Sequence, residues 1–152
     1  MTTFKSVNEA LDFAIAAEEH ARDCYLGLSQ TVTKPWMKKV FADFAEEEAG
    51  HKEKLLAVKS GKAMLHAEEK VTDLKISNYV TKDVDILPDM DYQQALIVAM
   101  QSEKAAFRLY SDLARTVDDE NLRDTFLGLA QEEAKHKLRF EIEYDDYVFQ
   151  ED

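Results

Sequence analysis

Glu18, Tyr25, Glu48 and His51 return in this chain as Glu103, Tyr110, Glu133 and His136, each 85 positions later. The register runs without a gap from 10–55 to 95–140, and sixteen of those 46 aligned positions are identical. A chain written twice must fold so that two equivalent halves close against each other. Here the halves keep residue types that ligate metals while their surfaces drift. That pattern points to two facing half-sites able to hold a pair of metal ions.

At 152 residues the chain suits one domain with a real core. A hydrophobic fraction of 45% argues against disorder despite 33% charged residues. Four Gly and two Pro leave little for a turn-rich β protein. The formal net charge of −12 repels nucleic acid and anionic lipid, so neither is expected as a partner. The single cysteine, Cys24, excludes an intramolecular disulfide and any CxxC pair. The N-terminal residues carry no apolar leader, and no run approaches the ~18 apolar residues of a membrane span. The cytoplasm is the expected location.

Apolar periodicity predicts four helices. The first covers about 6–30, with Val7, Leu11, Ala14, Ala21, Tyr25 and Leu28 on one face. Ser6 with Glu9 reads as a capping box, duplicated by Asp91 with Gln94. The second helix starts near Pro35 with Thr33 as a cap, and Gly61 offers its stop. The third covers about 92–115. The fourth follows an Asp118–Asp119 cap region and runs towards Phe149. Short connections make helices one and two, and three and four, antiparallel hairpins. About 30 residues lie between the hairpins, enough to travel the length of a bundle, and Leu74, Ile76, Tyr79 and Val80 within them can form a short helix. Two independent hairpins are the alternative, but each would leave an apolar face exposed.

Glu18 and Tyr25 are about 700° of helical rotation apart and share a face, while Glu48 and His51, three apart, lie on adjacent lines of another. Small residues flank them: Ala14, Ala21 and Ala45, repeated as Ala99, Ala106 and Ala130. Burying Glu18, Glu48, Glu103 and Glu133 unpaired costs several kcal/mol each. No Lys or Arg occupies a matched position to neutralise them, whereas two divalent cations would. One Glu from each of two helices, plus Glu-x-x-His from each of the others, is the di-iron or di-manganese pattern of helical bundles. Mixed carboxylate and imidazole ligation suits iron or manganese. The alternative is a bundle that uses the same residues as a buried hydrogen-bond network.

Ala14-xxx-Glu18-xx-Ala21-xxx-Tyr25, Phe44-Ala45-xx-Glu48-xx-His51 and their repeats resemble the ferritin-like domain of the rubrerythrin family. The run from Glu18 to Tyr25 is especially similar to that family's first helix. The resemblance implies an all-α, ferritin-like four-helix bundle with a long crossover between helices two and three. It would be a single domain over 1–152, with hairpins at about 6–59 and 91–149 and the crossover at about 60–90. It implies a cofactor of two iron ions, with manganese or zinc able to substitute. Glu48 and Glu133 would bridge the ions, Glu18 and Glu103 would be terminal carboxylates, and His51 and His136 would each give a nitrogen. Tyr25 and Tyr110 would hydrogen-bond ligand carboxylates or donate electrons, unless they are core aromatics with satisfied hydroxyls.

Two departures qualify the resemblance. Rubrerythrins usually carry a further Glu ligand where this chain has Ala106, so the site resembles the symmetric six-ligand version of bacterioferritin. These 152 residues show no rubredoxin module, and the resemblance then implies an electron donor in trans, such as a rubredoxin-like protein. The implied activity is oxidation of an Fe(II) pair by hydrogen peroxide or dioxygen. Ferroxidase action with iron handling is one alternative, and a metal-free helical interaction protein is another. A homodimer or higher homo-oligomer is expected, and the long crossover permits hairpin exchange between chains. His20 and Cys24, about 200° and 240° from Glu18, read as solvent-facing and as packing. His66 reads as surface. Glu47 and Glu132, about 100° from the neighbouring ligands, read as solvated, with cation guidance as the alternative role.

Overall fold

The computed structural model describes residues 6–61 and 91–151. Four helices account for nearly all of them: α1 (Val7–Thr31), α2 (Pro35–Ser60), α3 (Tyr92–Thr116) and α4 (Glu120–Glu151). There is no strand among the described residues. The four expected bundle helices are present, and among the described residues no helix is long and apolar enough to cross a membrane.

The three-residue breaks inside each half force α1 onto α2 and α3 onto α4 as antiparallel hairpins. Pairings between hairpins fix the rest. Tyr25 reaches Glu103 while Tyr110 reaches Glu18, so α1 and α3 run antiparallel. His51 reaches Glu133 while His136 reaches Glu48, so α2 and α4 do too. The product is a four-helix bundle, each hairpin burying the apolar face of the other.

The interior is divided in three. Val7, Leu11, Leu55, Leu113, Leu122 and Leu129 belong to an apolar cluster at one end. Leu28, Met37, Phe41, Phe44, Leu96 and Phe140 belong to a second cluster at the other. Between them lies a polar layer of four glutamates and two histidines. Leu55 near the end of α2 and Tyr92 at the start of α3 therefore occupy opposite ends. The length of helices ~35–40 Å long separates these two ends. The short helix expected around Leu74 to Val80, and His66, lie outside the described residues.

Helix ends show where local chemistry was read well and where it was not. Asp91 accepts the Gln94 N–H at 2.8 Å and the Gln94 side chain returns to the Asp91 N–H, closing the expected box. At Ser6 the hydroxyl accepts the Glu9 N–H at 3.1 Å, and among the described residues only Asp91 closes a reciprocal box. Asp119 accepts the Leu122 N–H at 2.8 Å to cap α4. The cap of α2 is Lys34, without a side-chain bond, rather than Thr33, because Pro35 already supplies a first helical residue with no N–H to satisfy. Gly61 ends α2 at φ −98°, not in the left-handed region. Its role is space: a Cβ there would stand 2.8 Å from the Ala57 carbonyl oxygen.

Candidate metal centre

Each helix brings its polar residues to the same level of the bundle. Glu18 on α1 and Glu103 on α3 face each other, and α2 and α4 supply Glu48 with His51 and Glu133 with His136, each pair one turn apart. All six are between 1% and 7% exposed. Their ligand atoms form two groups within a 4.8 Å span, one of Glu18, Glu48, His51 and Glu133, the other of Glu48, Glu103, Glu133 and His136. Glu48 and Glu133 belong to both groups. The geometry thus repeats the duplication in the sequence and adds a shared pair of carboxylates at its centre.

Hydrogen bonds tie each half to the other. The Tyr25 hydroxyl donates to Glu103 Oε1 and the Tyr110 hydroxyl to Glu18 Oε1, both at 2.6 Å. His51 Nδ1 lies 2.7 Å from Glu133 Oε1, and His136 Nδ1 lies 3.1 Å from Glu48 Oε1. The imidazole rings stack 5.4 Å apart, within 10° of parallel. The remaining oxygens of Glu18 and Glu103, both Oε2, are buried without a hydrogen-bond partner. Such a group costs about 1–3 kcal/mol or more if nothing satisfies it. Two symmetric, unbonded carboxylate oxygens in a layer of hard oxygen and imidazole donors fit divalent cations.

The electrostatics describe the same demand for positive charge. Burial, then hydrogen bonding to Glu48, pushes the Glu18 carboxyl up to about 8. Burial and the Glu103 charge hold Glu133 well above the carboxylate range. Burial opposes charge on the imidazoles, yet Glu18 and Glu48 around His51, and Glu103 and Glu48 around His136, outweigh it and push both up to about 10. Glu133 is the carboxylate nearest His51, with Oε1 at 2.7 Å from Nδ1. Burial and the accepting carboxylates Glu103 and Glu18 raise the phenols of Tyr25 and Tyr110 well above 10. Protons collect where cations would bind, so metal binding here must release them.

The model of the rubrerythrin family matches residues 9–144. The chain belongs to the rubrerythrin family. The fold agrees with a solved structure, a hypothetical protein from Pyrococcus furiosus, at 27% identity and a TM-score of 0.67. That match covers 92% of this chain and 89% of the other. No curated protein matches the chain. As a rubrerythrin-family bundle it holds His/Glu groups that could bind metal.

Other side chains around the rubrerythrin-type layer fall into two kinds. His20 is exposed and Cys24 half-buried, their side chains 3.6 Å apart outside the layer. Glu47 and Glu132 are partly solvated, as expected, and also approach the layer. Glu47 Oε2 stands 2.5 Å from His136 Nε2, and Glu132 Oε2 4.0 Å from His51 Nε2. Each glutamate keeps nearly half its surface in solvent but reaches the outer nitrogen of the histidine on the opposite helix. A 100° rotation on one helix points to the neighbouring helix when the bundle is closed, which single-helix geometry does not reveal. On the opposite, α1/α3 face, a cavity of about 60 Å³ reaches the layer past Ala17, Ala21, Ser102, Ala105 and Ala106. Of the small residues noted in the sequence, Ala21 and Ala106 are among its walls.

Proposed function

We propose that this protein is a non-haem di-iron oxidoreductase whose Fe(II) pair is oxidised by hydrogen peroxide or dioxygen, with electrons returned by an external donor protein. The observation that carries the reading is the pair of overlapping ligand groups that share Glu48 and Glu133 and leave one oxygen each of Glu18 and Glu103 unbonded. In this reading Glu18, Glu48, His51, Glu103, Glu133 and His136 would hold the two ions, with Glu48 and Glu133 common to both ligand groups. Iron, when bound, supplies two electrons to a peroxide or dioxygen oxidant.

The chain's own residues do the rest. Tyr25 and Tyr110 hold Glu103 and Glu18 by their Oε1 atoms, leaving Oε2 free to ligate. The neighbouring apolar clusters exclude bulk water from above and below the layer. The alanine-lined opening on the α1/α3 face admits only something small. Glu47 and Glu132 on the α2/α4 face favour a second reading, ferroxidase action with iron handling, because they put negative charge where cations could enter. Cytoplasmic location and a homo-oligomeric state, with or without hairpin exchange, complete the proposal.

The decisive experiment is anaerobic Fe(II) titration followed by stopped-flow oxidation with peroxide and dioxygen side by side. Two Fe(II) per chain and a rapid oxidation phase are expected. Glu48→Ala and Glu133→Ala should each abolish the pair, and His20→Ala should leave it intact. Equal iron content in all three variants refutes the assignment. A large shell carrying hundreds of irons would favour storage over turnover.

A further inference from the structure

The two halves match at the polar layer but not beyond it. Tyr25 is embedded in rings, with Phe41 at 6.3 Å, Phe44 at 6.2 Å and Phe140 at 5.7 Å between centroids. From Phe41 the series continues to Tyr92 at 5.8 Å, and from Tyr92 to Trp36 at 5.3 Å. Trp36 is the only tryptophan of the chain and is 44% exposed. The repeat supplies an internal control. Tyr110 has Phe126 beside it at 6.4 Å, but the positions related to Trp36 and Tyr92 by the 85-residue register hold Asn121 and Val7. Core packing alone requires apolar volume at both ends, and the Tyr110 end supplies it largely with Leu and Val. Readily oxidised rings in sequence, at one end only, do something that volume does not.

We propose that Tyr25, Tyr92 and Trp36, bridged by Phe41, form a one-electron path from the buried carboxylate layer to the end of the bundle where Trp36 meets solvent. Both tyrosines have what reversible oxidation of a phenol needs, a carboxylate accepting the hydroxyl. Tyr25 donates to Glu103 at 2.6 Å and Tyr92 to Glu143 at 3.2 Å. As an electron leaves either ring, its phenolic proton shifts along that hydrogen bond, and it returns when the ring is reduced. The indole of Trp36 is oxidised by one electron in turn and restored by a one-electron reductant at the surface. The inner end rests on the di-iron reading. Reduction of dioxygen to water takes four electrons, an Fe(II) pair gives two, and the path supplies the balance from outside.

The outer steps can be tested apart from iron chemistry. The full-length chain, supplied with redox-inert Zn(II), is exposed to azide radicals in pulse radiolysis, which oxidise Trp36. The expected result is decay of the indolyl radical as a phenoxyl radical appears, at a rate independent of protein concentration. Tyr92→Phe should slow that transfer by an order of magnitude, and Phe126→Leu, at the position related to Phe41 by the repeat, should leave it unchanged. A Tyr92→Phe variant transferring at the parent rate, or a Phe126→Leu variant equally slowed, overturns the path. In protein shown by titration to hold two Fe(II), freeze-quench EPR after mixing with dioxygen should find the Tyr25 radical longer-lived in Tyr92→Phe. A chain that takes up no iron defeats the di-iron reading, while the radiolysis result still decides the path.

Discussion

Replacing Glu18 with Gln should stabilise the chelator-treated protein at high pH and weaken it only in its response to metal. In the folded chain the Glu18 carboxyl is pushed up from 4.5 to about 8, mainly by burial. The folded state therefore holds this proton more tightly than the unfolded state. The stability that follows is complete below pH 4.5, falls as pH rises and is gone above about 8. At ~1.4 kcal/mol per pKa unit, the loss across that window is at most on the order of 5 kcal/mol. Gln has no proton to lose, and its amide oxygen can still accept from the Tyr110 hydroxyl. For a chain of this size ~2–4 °C of Tm accompanies each kcal/mol. The variant and parent should melt together at pH 5, and the variant should melt higher by roughly 10 °C at pH 9. His136, held up to about 10 by Glu103 and Glu48, loses its contribution as pH climbs from 6.5 through 10 in both chains and largely cancels. His51 loses in the variant the first of the carboxylates that raise it, which trims the gain. Mn(II) or Zn(II) should close much of the gap at pH 9: at a hundredfold excess over Kd a ligand adds about 2.7 kcal/mol to the parent, and the variant lacks the carboxylate that earns it. Calorimetry or circular dichroism melts at both pH values, with and without metal, read all four quantities. Parallel pH profiles for the two chains would refute the buried-carboxylate argument, and an unchanged metal shift would refute Glu18 as a ligand.

Glu47→Gln should weaken metal affinity about 10–100-fold, the usual effect of losing a partner to a ligating histidine. Glu132→Gln should do less, because its oxygen stands 4.0 Å from His51 Nε2 where Glu47 stands 2.5 Å from His136 Nε2; competition against a chelator measures both. Tyr25→Phe and Tyr110→Phe should each cost about 1.5–3 kcal/mol, since each removes a hydrogen bond to a buried carboxylate. Their matched 2.6 Å geometry makes the losses equal in denaturant titrations, even though the variants differ in radical transfer. Ala106→Glu, on the wall of the α1/α3 cavity, should preserve two metals per chain and raise the rate with peroxide relative to dioxygen in stopped-flow oxidation.

Most of the bundle was legible because period and repetition report the same thing. Glu18, Glu48, His51 and their partners sit on faces set by 3.6-residue periodicity, and the duplicated register identified which faces meet. Caps were less legible. Thr33 is a sound cap by residue type, but Pro35 fixes the helix start at Lys34. Gly61 has the expected place for a different reason, proximity to the Ala57 carbonyl rather than backbone handedness. The reach of Glu47 and Glu132 was hidden because it depends on the neighbouring helix. The aromatic series was hidden too: Trp36 and Tyr92 belong to different hairpins and come together only when the bundle closes.

The division of the interior explains how the fold tolerates four carboxylates at all. Within each hairpin, apolar side chains pack along both helices and need no ion. Between hairpins, the middle of the contact consists of Tyr25 with Glu103, Tyr110 with Glu18, His51 with Glu133, and His136 with Glu48. Every one of these bonds joins one copy of the repeat to the other. The cost of burying the charges therefore falls on hairpin docking rather than on the helices, and so does any stabilisation by bound cations. The docking of the hairpins then constrains both copies equally at the layer and leaves their apolar ends free to differ. That is the pattern observed: identical glutamates, histidines and tyrosines at the centre, with aliphatic packing at one end and a series of oxidisable rings at the other.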